Sequence, residues 1–286
     1  MENLMAMLTT MASTHAEMIS ILLGYCAIGA VAGVLAGLLG IGGGLVIVPV
    51  LIYTLTLQRV DHEMIMHMAL ATSMASIIFT SISSFMSHHR RGAVRWDIVK
   101  KITPGILIGT FLGSCVASAM PTWWLKAVFV LFLYTMAWQM LAKKKPKASR
   151  ELPGVAGLSA MGGVIGVVSS LVGIGGGSLS VPFMLWCNVV VHHAIGTSAA
   201  IGLPIAIAGT IGYIWNGWQV ANLPSYSLGY VYLPACLGIA AFSMLTAPLG
   251  VRLAHRLPVD TLKRVFAALL LVLATKMLWE LARAWM

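Results

Sequence analysis

"LLGIGGGLVIVPVL" (residues 38–51) places four glycines and a proline inside an otherwise apolar run. Glycine costs a helix interior about 1 kcal/mol relative to alanine, and proline about 3. A segment that only has to cross a bilayer has no use for them. The stretch returns as "LVGIGGGSLSVPFML" (171–185). A break made twice, in the same form, is the feature around which the rest of the chain is read.

The 286 residues are 59% hydrophobic and 9% charged, with a mean hydropathy of +0.92. Water-soluble domains carry about 25% charged residues, so there is too little polar surface here to cover a soluble globule. The expected class is an all-α polytopic membrane protein. The net charge of +10 sits in short segments between apolar runs, the pattern of cytoplasmic loops. That distribution argues against nucleic-acid binding. Cys26, Cys115, Cys187 and Cys236 are widely spaced within apolar runs. They read as small buried hydrophobes, with no disulfide framework, metal or cofactor implied. The N-terminal "MENLMAMLTTMASTHAE" lacks a basic n-region and reads as a polar tail, not a cleaved leader.

A spanning helix needs about 20 apolar residues. Candidates are 18–39, 64–87, 98–118, 123–142, 154–173, 194–215, 228–248 and 261–283. Two shorter pieces, 45–57 and 178–190, follow the glycine clusters and read as half-helices. The basic segments "HHRRGAVRWDIVKK" (88–101) and "KKKPKASR" (143–150) are separated by two spans. They therefore share a face, the cytoplasmic one by the positive-inside rule.

The halves match. "GIGGG" at 40–44 aligns with 173–177, and Pro49 with Pro182, both at an offset of 133. "HMALATS" (67–73) matches "HHAIGTS" (192–198), and "LGSCVASAMPTWWLKAVF" (112–129) matches "LGVRLAHRLPVDTLKRVF" (249–266). The expected organisation is an N-terminal membrane repeat over 1–142, a basic cytoplasmic linker over 143–153 and a C-terminal repeat over 154–286.

Charge also indicates the sense of the repeat. If each broken region crossed once, the uncharged loop 216–227 would be cytoplasmic. The loop 249–264, with Arg252, Arg256, Lys263 and Arg264, would be external. Both placements violate the positive-inside rule. If the broken region crosses and returns, each half has five crossings and the repeats are inverted. This five-plus-five arrangement is preferred, with a re-entrant short piece as the alternative.

Inverted-repeat transporters hold substrate near the midplane on discontinuous helices. A broken helix exposes unpaired N–H groups and the positive end of its dipole, which an anion satisfies. Glycine permits φ > 0 and close approach of a ligand to the backbone. The candidate substrate-binding residues are Gly42, Gly43, Gly44, Gly175, Gly176, Gly177 and Ser178. Thr72, Ser73, Thr197 and Ser198 join them as repeat-paired hydroxyls able to donate to an oxyanion. The competing readings are helix packing for the glycines and bonding to a preceding carbonyl for the hydroxyls. Pro49 and Pro182 are expected near the start of the short helices, where a missing N–H is tolerated; the sequence leaves open whether each helix begins at the glycines or at the proline.

The paired GIGGG-x4-P blocks, the ATS and GTS blocks and the basic central linker resemble the TauE/SafE sulfite exporter family, also called the toluene sulfonate uptake permease family. The resemblance covers nearly the whole chain. It implies a multi-pass transporter of the cell (inner) membrane for a small sulfur-containing anion such as sulfite, a sulfonate or a related organic acid. In the second half Ser178 and Ser180 replace Leu45 and Ile47, so a site shared by both halves would be asymmetric.

His67 and His192 are repeat-paired and are possible proton or anion contacts, with His193 a substitute for His192. Lys276, aligned with Gln139, is an intramembrane cation and a candidate by default. It is also four residues from Glu280, within reach of an i,i+4 pair. The expected activity is secondary transport by alternating access, without a cofactor. The partners are a small anion and the bilayer, and oligomeric state is left open. The alternative is a membrane-embedded enzyme or an assembly factor of sulfur metabolism. The sequence offers no H-E-x-x-H, no G-x-S-x-G and no carboxylate pair deep in a span.

Overall fold

The computed structural model describes residues 22–38, 43–142, 151–254 and 259–283. Gly42, the linker residues 143–150 and the polar N-terminal stretch lie outside them. The architecture is all-α: α1 (22–38), α2 (Gly44–Leu57), α3 (His62–His89), α4 (Trp96–Ala119), α5 (Thr122–Leu141), α6 (Val155–Val172), α7 (Gly177–Trp186), α8 (Val191–Gly217), α9 (Leu233–Ala254) and α10 (Val259–Arg283). One two-residue hairpin, β1 (Ser227–Leu228) with β2 (Val231–Tyr232), precedes α9. Among the described residues seven helices are long and apolar enough to cross a membrane, while α1, α2 and α7 are shorter. The protein is a multi-pass membrane protein.

The centre is α3. It starts at Asp61, whose side chain accepts from the Glu63 amide, with Glu63 in the first turn where the helix dipole favours an acid. Its hydroxyls Thr72, Ser73, Ser76, Thr80, Ser81 and Ser84 are all buried. A helix this rich in hydroxyls is compatible with a bilayer because other helices surround it.

Glycines set the closest helix contacts. A Cβ added to Gly29, Gly33 or Gly37 of α1 would collide with the carbonyls of Ile239, Ser243 or Ala247 on α9. One added to Gly105 or Gly109 of α4 would collide with the carbonyls of Ser159 or Gly163 on α6. Lipid tails are as apolar as leucine, so such close dispersion contact is what holds membrane helices together.

These contacts fix the relative directions of the helices. Residue numbers rise together along α1 and α9 and along α4 and α6, so both pairs are parallel. Thr72 and Thr80 of α3 meet Tyr232 and Ser243, so α3 runs with α9. Gly209 meets Met74 and Gly202 meets Ser81, so α8 runs against α3. Thr197 meets Arg95 and Asn216 meets Cys115, so α8 runs with α4. Lys126 with Glu280, and Tyr134 with Thr275, make α5 and α10 antiparallel. Every pair of sequence-matched long helices therefore runs in opposite senses: α3 against α8, α4 against α9, and α5 against α10. The same holds for α1 and α6.

Charge follows the same geometry. Arg91 Nη1 donates to Val251 O at 3.2 Å, which puts the basic α3–α4 turn and the Arg252 end of α9 together. The uncharged 218–226 loop follows the C-terminus of α8, at the opposite end. Trp96, Trp123, Trp124 and Trp218 are exposed near helix ends, positions suited to the membrane interface. None of the four cysteines forms a disulfide.

Candidate functional site

Both breaks use the same backbone device. Gly43 caps α2 with φ 78° and ψ −8°, and Gly176 caps α7 with φ 73° and ψ −7°. This left-handed conformation costs other residues roughly 1–2 kcal/mol. The hydrogen bonding matches too. Gly43 O accepts from the amides of Val46 and Ile47, and Gly176 O from those of Leu179 and Ser180. The amides before these bonds are the open donors of a helix N-terminus. A third left-handed glycine, Gly173 (φ 69°), ends α6. The short helices thus begin at the glycines. Pro49 and Pro182 are their sixth residues rather than first-turn prolines. Lacking an N–H, each leaves the carbonyl four residues earlier, Leu45 or Ser178, without its usual helical bond.

The breaks meet. A Cβ on Gly44 would collide with Gly173 O and lie 3.0 Å from Ile174 Cα. Ser73 Oγ donates to Gly173 O at 2.8 Å, tying α3 to the second break. On the far side, a Cβ on Gly202 would lie 3.2 Å from Gly175 O and 2.9 Å from Ser81 Oγ. Ser73, Ser81 and Gly202 lie along the middle of the 28-residue α3 and the 27-residue α8. The two helix starts therefore stand at mid-depth. Gly44, Gly175, Gly176 and Gly177 are all buried there.

The paired threonines are acceptors that tie the halves together. Thr72 Oγ1 accepts from the Tyr232 amide at 2.9 Å, just before α9. Thr197 Oγ1 accepts from the Arg95 amide at 2.9 Å, just before α4. Each half caps a helix start in the other. Ser198 is fully buried. The hydroxyls with no hydrogen-bond partner at the second break are Ser178, Ser180 and Ser169. The sequence reading missed Ser169. A serine in an apolar helix, here the first of the pair Ser169–Ser170, reads as bonded to its own preceding turn, and its match to Ala36 at the offset of 133 is the signal that distinguishes it.

The remaining candidates are dispersed. His67 is buried, with Nδ1 3.1 Å from Glu63 O and Nε2 3.1 Å from Met120 O, and its ring stacks on Tyr230. His192 is exposed, whereas His193 Nδ1 sits 3.3 Å from Ala93 O. Since Ala93 matches Tyr230 at the offset that aligns α4 with α9, His193 has the neighbourhood corresponding to that of His67. Lys276 and Gln139 are both exposed. Lys276 Nζ lies 4.6 Å from the Tyr53 ring centroid, a cation–π contact. Glu280 pairs instead with Lys126 at 3.0 Å, so the i,i+4 pair is not made. An apolar pocket of about 260 Å³, lined by Phe85, Trp96, Thr103, Leu107, Leu203 and Pro204, lies between α3, α4 and α8. Its lining offers little to an anion.

An all-α, multi-pass protein with two glycine breaks that pack together at mid-depth has the architecture of a membrane transporter. The family profile described as sulfite exporter TauE/SafE matches residues 25–277, and the chain belongs to that family. It is 40% identical over 253 residues to a probable membrane transporter protein of Haemophilus influenzae, covering 87% of this chain and 95% of that one. It is 26% identical over 257 residues to a probable membrane transporter protein of Methanocaldococcus jannaschii, covering 88% and 93%. A third relative, the probable membrane transporter protein YdhB of Bacillus subtilis, is 28% identical over 193 residues, covering 65% and 76%. No solved structure matches the chain.

Proposed function

We propose that this membrane transporter carries a small sulfur-containing anion, sulfite or a sulfonate, across the cell membrane by alternating access. The observation that carries the proposal is the packing, at mid-depth, of the α2 start against the Gly173–Ile174 turn that leads into α7. The open amides of each helix start stand at the positive end of that helix's dipole. An anion satisfies them in a setting where water is scarce. The family's sulfite exporter name supports the substrate class.

The opposed directions of matched helices support reading the chain as two inverted five-crossing repeats, over 1–142 and 154–286, joined by a cytoplasmic linker. Such halves rock against each other around a fixed central site. The activity is transport, not catalysis. Counterflow in proteoliposomes tests it. Vesicles preloaded with unlabelled sulfite should accumulate labelled sulfite only when they contain the protein, and methanesulfonate should compete. Equal uptake by empty vesicles for both anions would contradict the proposal.

A further inference from the structure

Ser169 Oγ, Ser178 Oγ and Ser180 Oγ have no hydrogen-bond partner. Ser169 and Ser180 are fully buried and Ser178 is 6% exposed. Several buried or half-buried helical hydroxyls elsewhere in the protein bond to the carbonyl four residues back, as Ser76, Thr80, Thr103 and Thr210 do. These three do not. Ser169 Oγ stands 3.3 Å from the point where a Cβ on Gly176 would sit, at the cap of α7. Ser178 is the second residue of α7 and Ser180 the fourth. The other buried hydroxyl oxygens without a partner among the described residues, on Ser84, Thr110, Ser118 and Ser227, are scattered over α3, α4 and β1.

The matching positions of the first half are Ala36, Leu45 and Ile47, all buried. Three hydroxyls stand around one break and three apolar side chains around the other, on backbones that cap their helices identically.

We infer that the two breaks divide the ligand between them. The second break alone holds the charged head through the hydroxyls of Ser169, Ser178 and Ser180 and the first-turn amides of α7, while the first break is an apolar wall. The ligand chemistry is an oxyanion whose oxygens accept several hydrogen bonds at one end. This rests on the reading of the breaks as an anion site and adds Ser169 and Ser180 to it.

The test is methanesulfonate titration of the purified full-length chain in detergent, followed by calorimetry, with melting temperature measured before ligand is added. In the Ser169→Ala/Ser178→Ala/Ser180→Ala variant the affinity should fall by about tenfold or more, since bonds to a charged acceptor are lost. Its ligand-free melting temperature should hold or rise, because buried polar atoms without partners are removed. Ile65→Val, in the first turn of α3 and two turns before Ser73, should do the reverse: a lower melting temperature from the lost methylene and affinity within about twofold of wild type. Unchanged affinity in the triple variant overturns the inference. So does a clear drop in its ligand-free melting temperature, which would mark the hydroxyls as structural. If wild-type protein binds neither methanesulfonate nor sulfite, the anion reading itself falls and takes this division with it.

Discussion

The starts of α2 and α7 have nearly superimposable backbones and unlike surroundings. Their caps differ by a few degrees, Gly43 at φ 78° and Gly176 at φ 73°. Yet a Cβ on Gly43 would come 2.7 Å from the Ala32 carbonyl, a backbone atom that cannot easily move. One on Gly176 would meet Cδ1 of Ile205, the far end of a flexible side chain. The first start is wedged against α1 and lined by leucine and isoleucine. The second is bordered by side chains that can yield and by hydroxyls that lack partners. The same backbone device stands at both starts, while the side chains around it differ, apolar at the first and hydroxyl-bearing at the second.

The largest effect should come from Gly44→Ala, because the added methyl collides with Gly173 O where the two breaks touch. Backbone faces backbone there, so loss of several kcal/mol is expected, within the range of severe overpacking. Little monodisperse protein should survive extraction, as gel filtration would reveal. Normal yield would mean that the breaks do not pack as closely as described.

Gly43→Ala and Gly176→Ala should then separate. Both incur a left-handed-backbone cost of roughly 1–2 kcal/mol. Gly43→Ala adds a backbone clash and should melt clearly lower than Gly176→Ala. Equal melting temperatures would break the contrast between wedged and yielding starts.

Smaller, and equal between halves, are the threonine caps. Thr72→Val and Thr197→Val each remove the acceptor for one amide in the opposite half, at Tyr232 and Arg95 respectively. A buried donor left unpaired costs about 1–3 kcal/mol. Thermal melts of the two variants should fall by similar amounts. A strong effect from only one would show that the halves do not cap each other equivalently. Smallest of all is Gly24→Ala, since nothing lies within 4 Å of the added methyl. Its melting temperature and transport should match wild type.

Several of these features were legible in the sequence because they depend on local chemistry. Repeated glycines in an apolar run announce φ > 0, and three appear at Gly43, Gly173 and Gly176. The charge-based expectation that 216–227 and the end of α9 lie at opposite ends follows from the same kind of signal, summed over loops. Features that depend on tertiary partners were not legible. Nothing in "ATS" says that Thr72 will cap α9 from the other half. Lys276 read as an intramembrane cation, but the face of α10 that carries it turns outward onto Tyr53, and Glu280 reaches Lys126 instead. His192 and His193 differ by one register step, which sequence alignment could not resolve and packing against Ala93 does. Whether the short helices begin at the glycines or at Pro49 and Pro182 was open in the sequence; the structure starts them at the glycine caps, about one and a half turns before the prolines.

The most direct measurement of the central claim is the affinity of methanesulfonate for monodisperse Gly176→Ala protein, beside wild type, with ligand-free melting temperatures recorded for both. Gly176 caps the helix whose open amides are held to bind the anion. The account predicts an affinity at least about tenfold weaker, equivalent to about 1.4 kcal/mol, in protein that still melts cooperatively. Wild-type affinity in that variant would contradict it, and would return the glycine break to a role in packing alone.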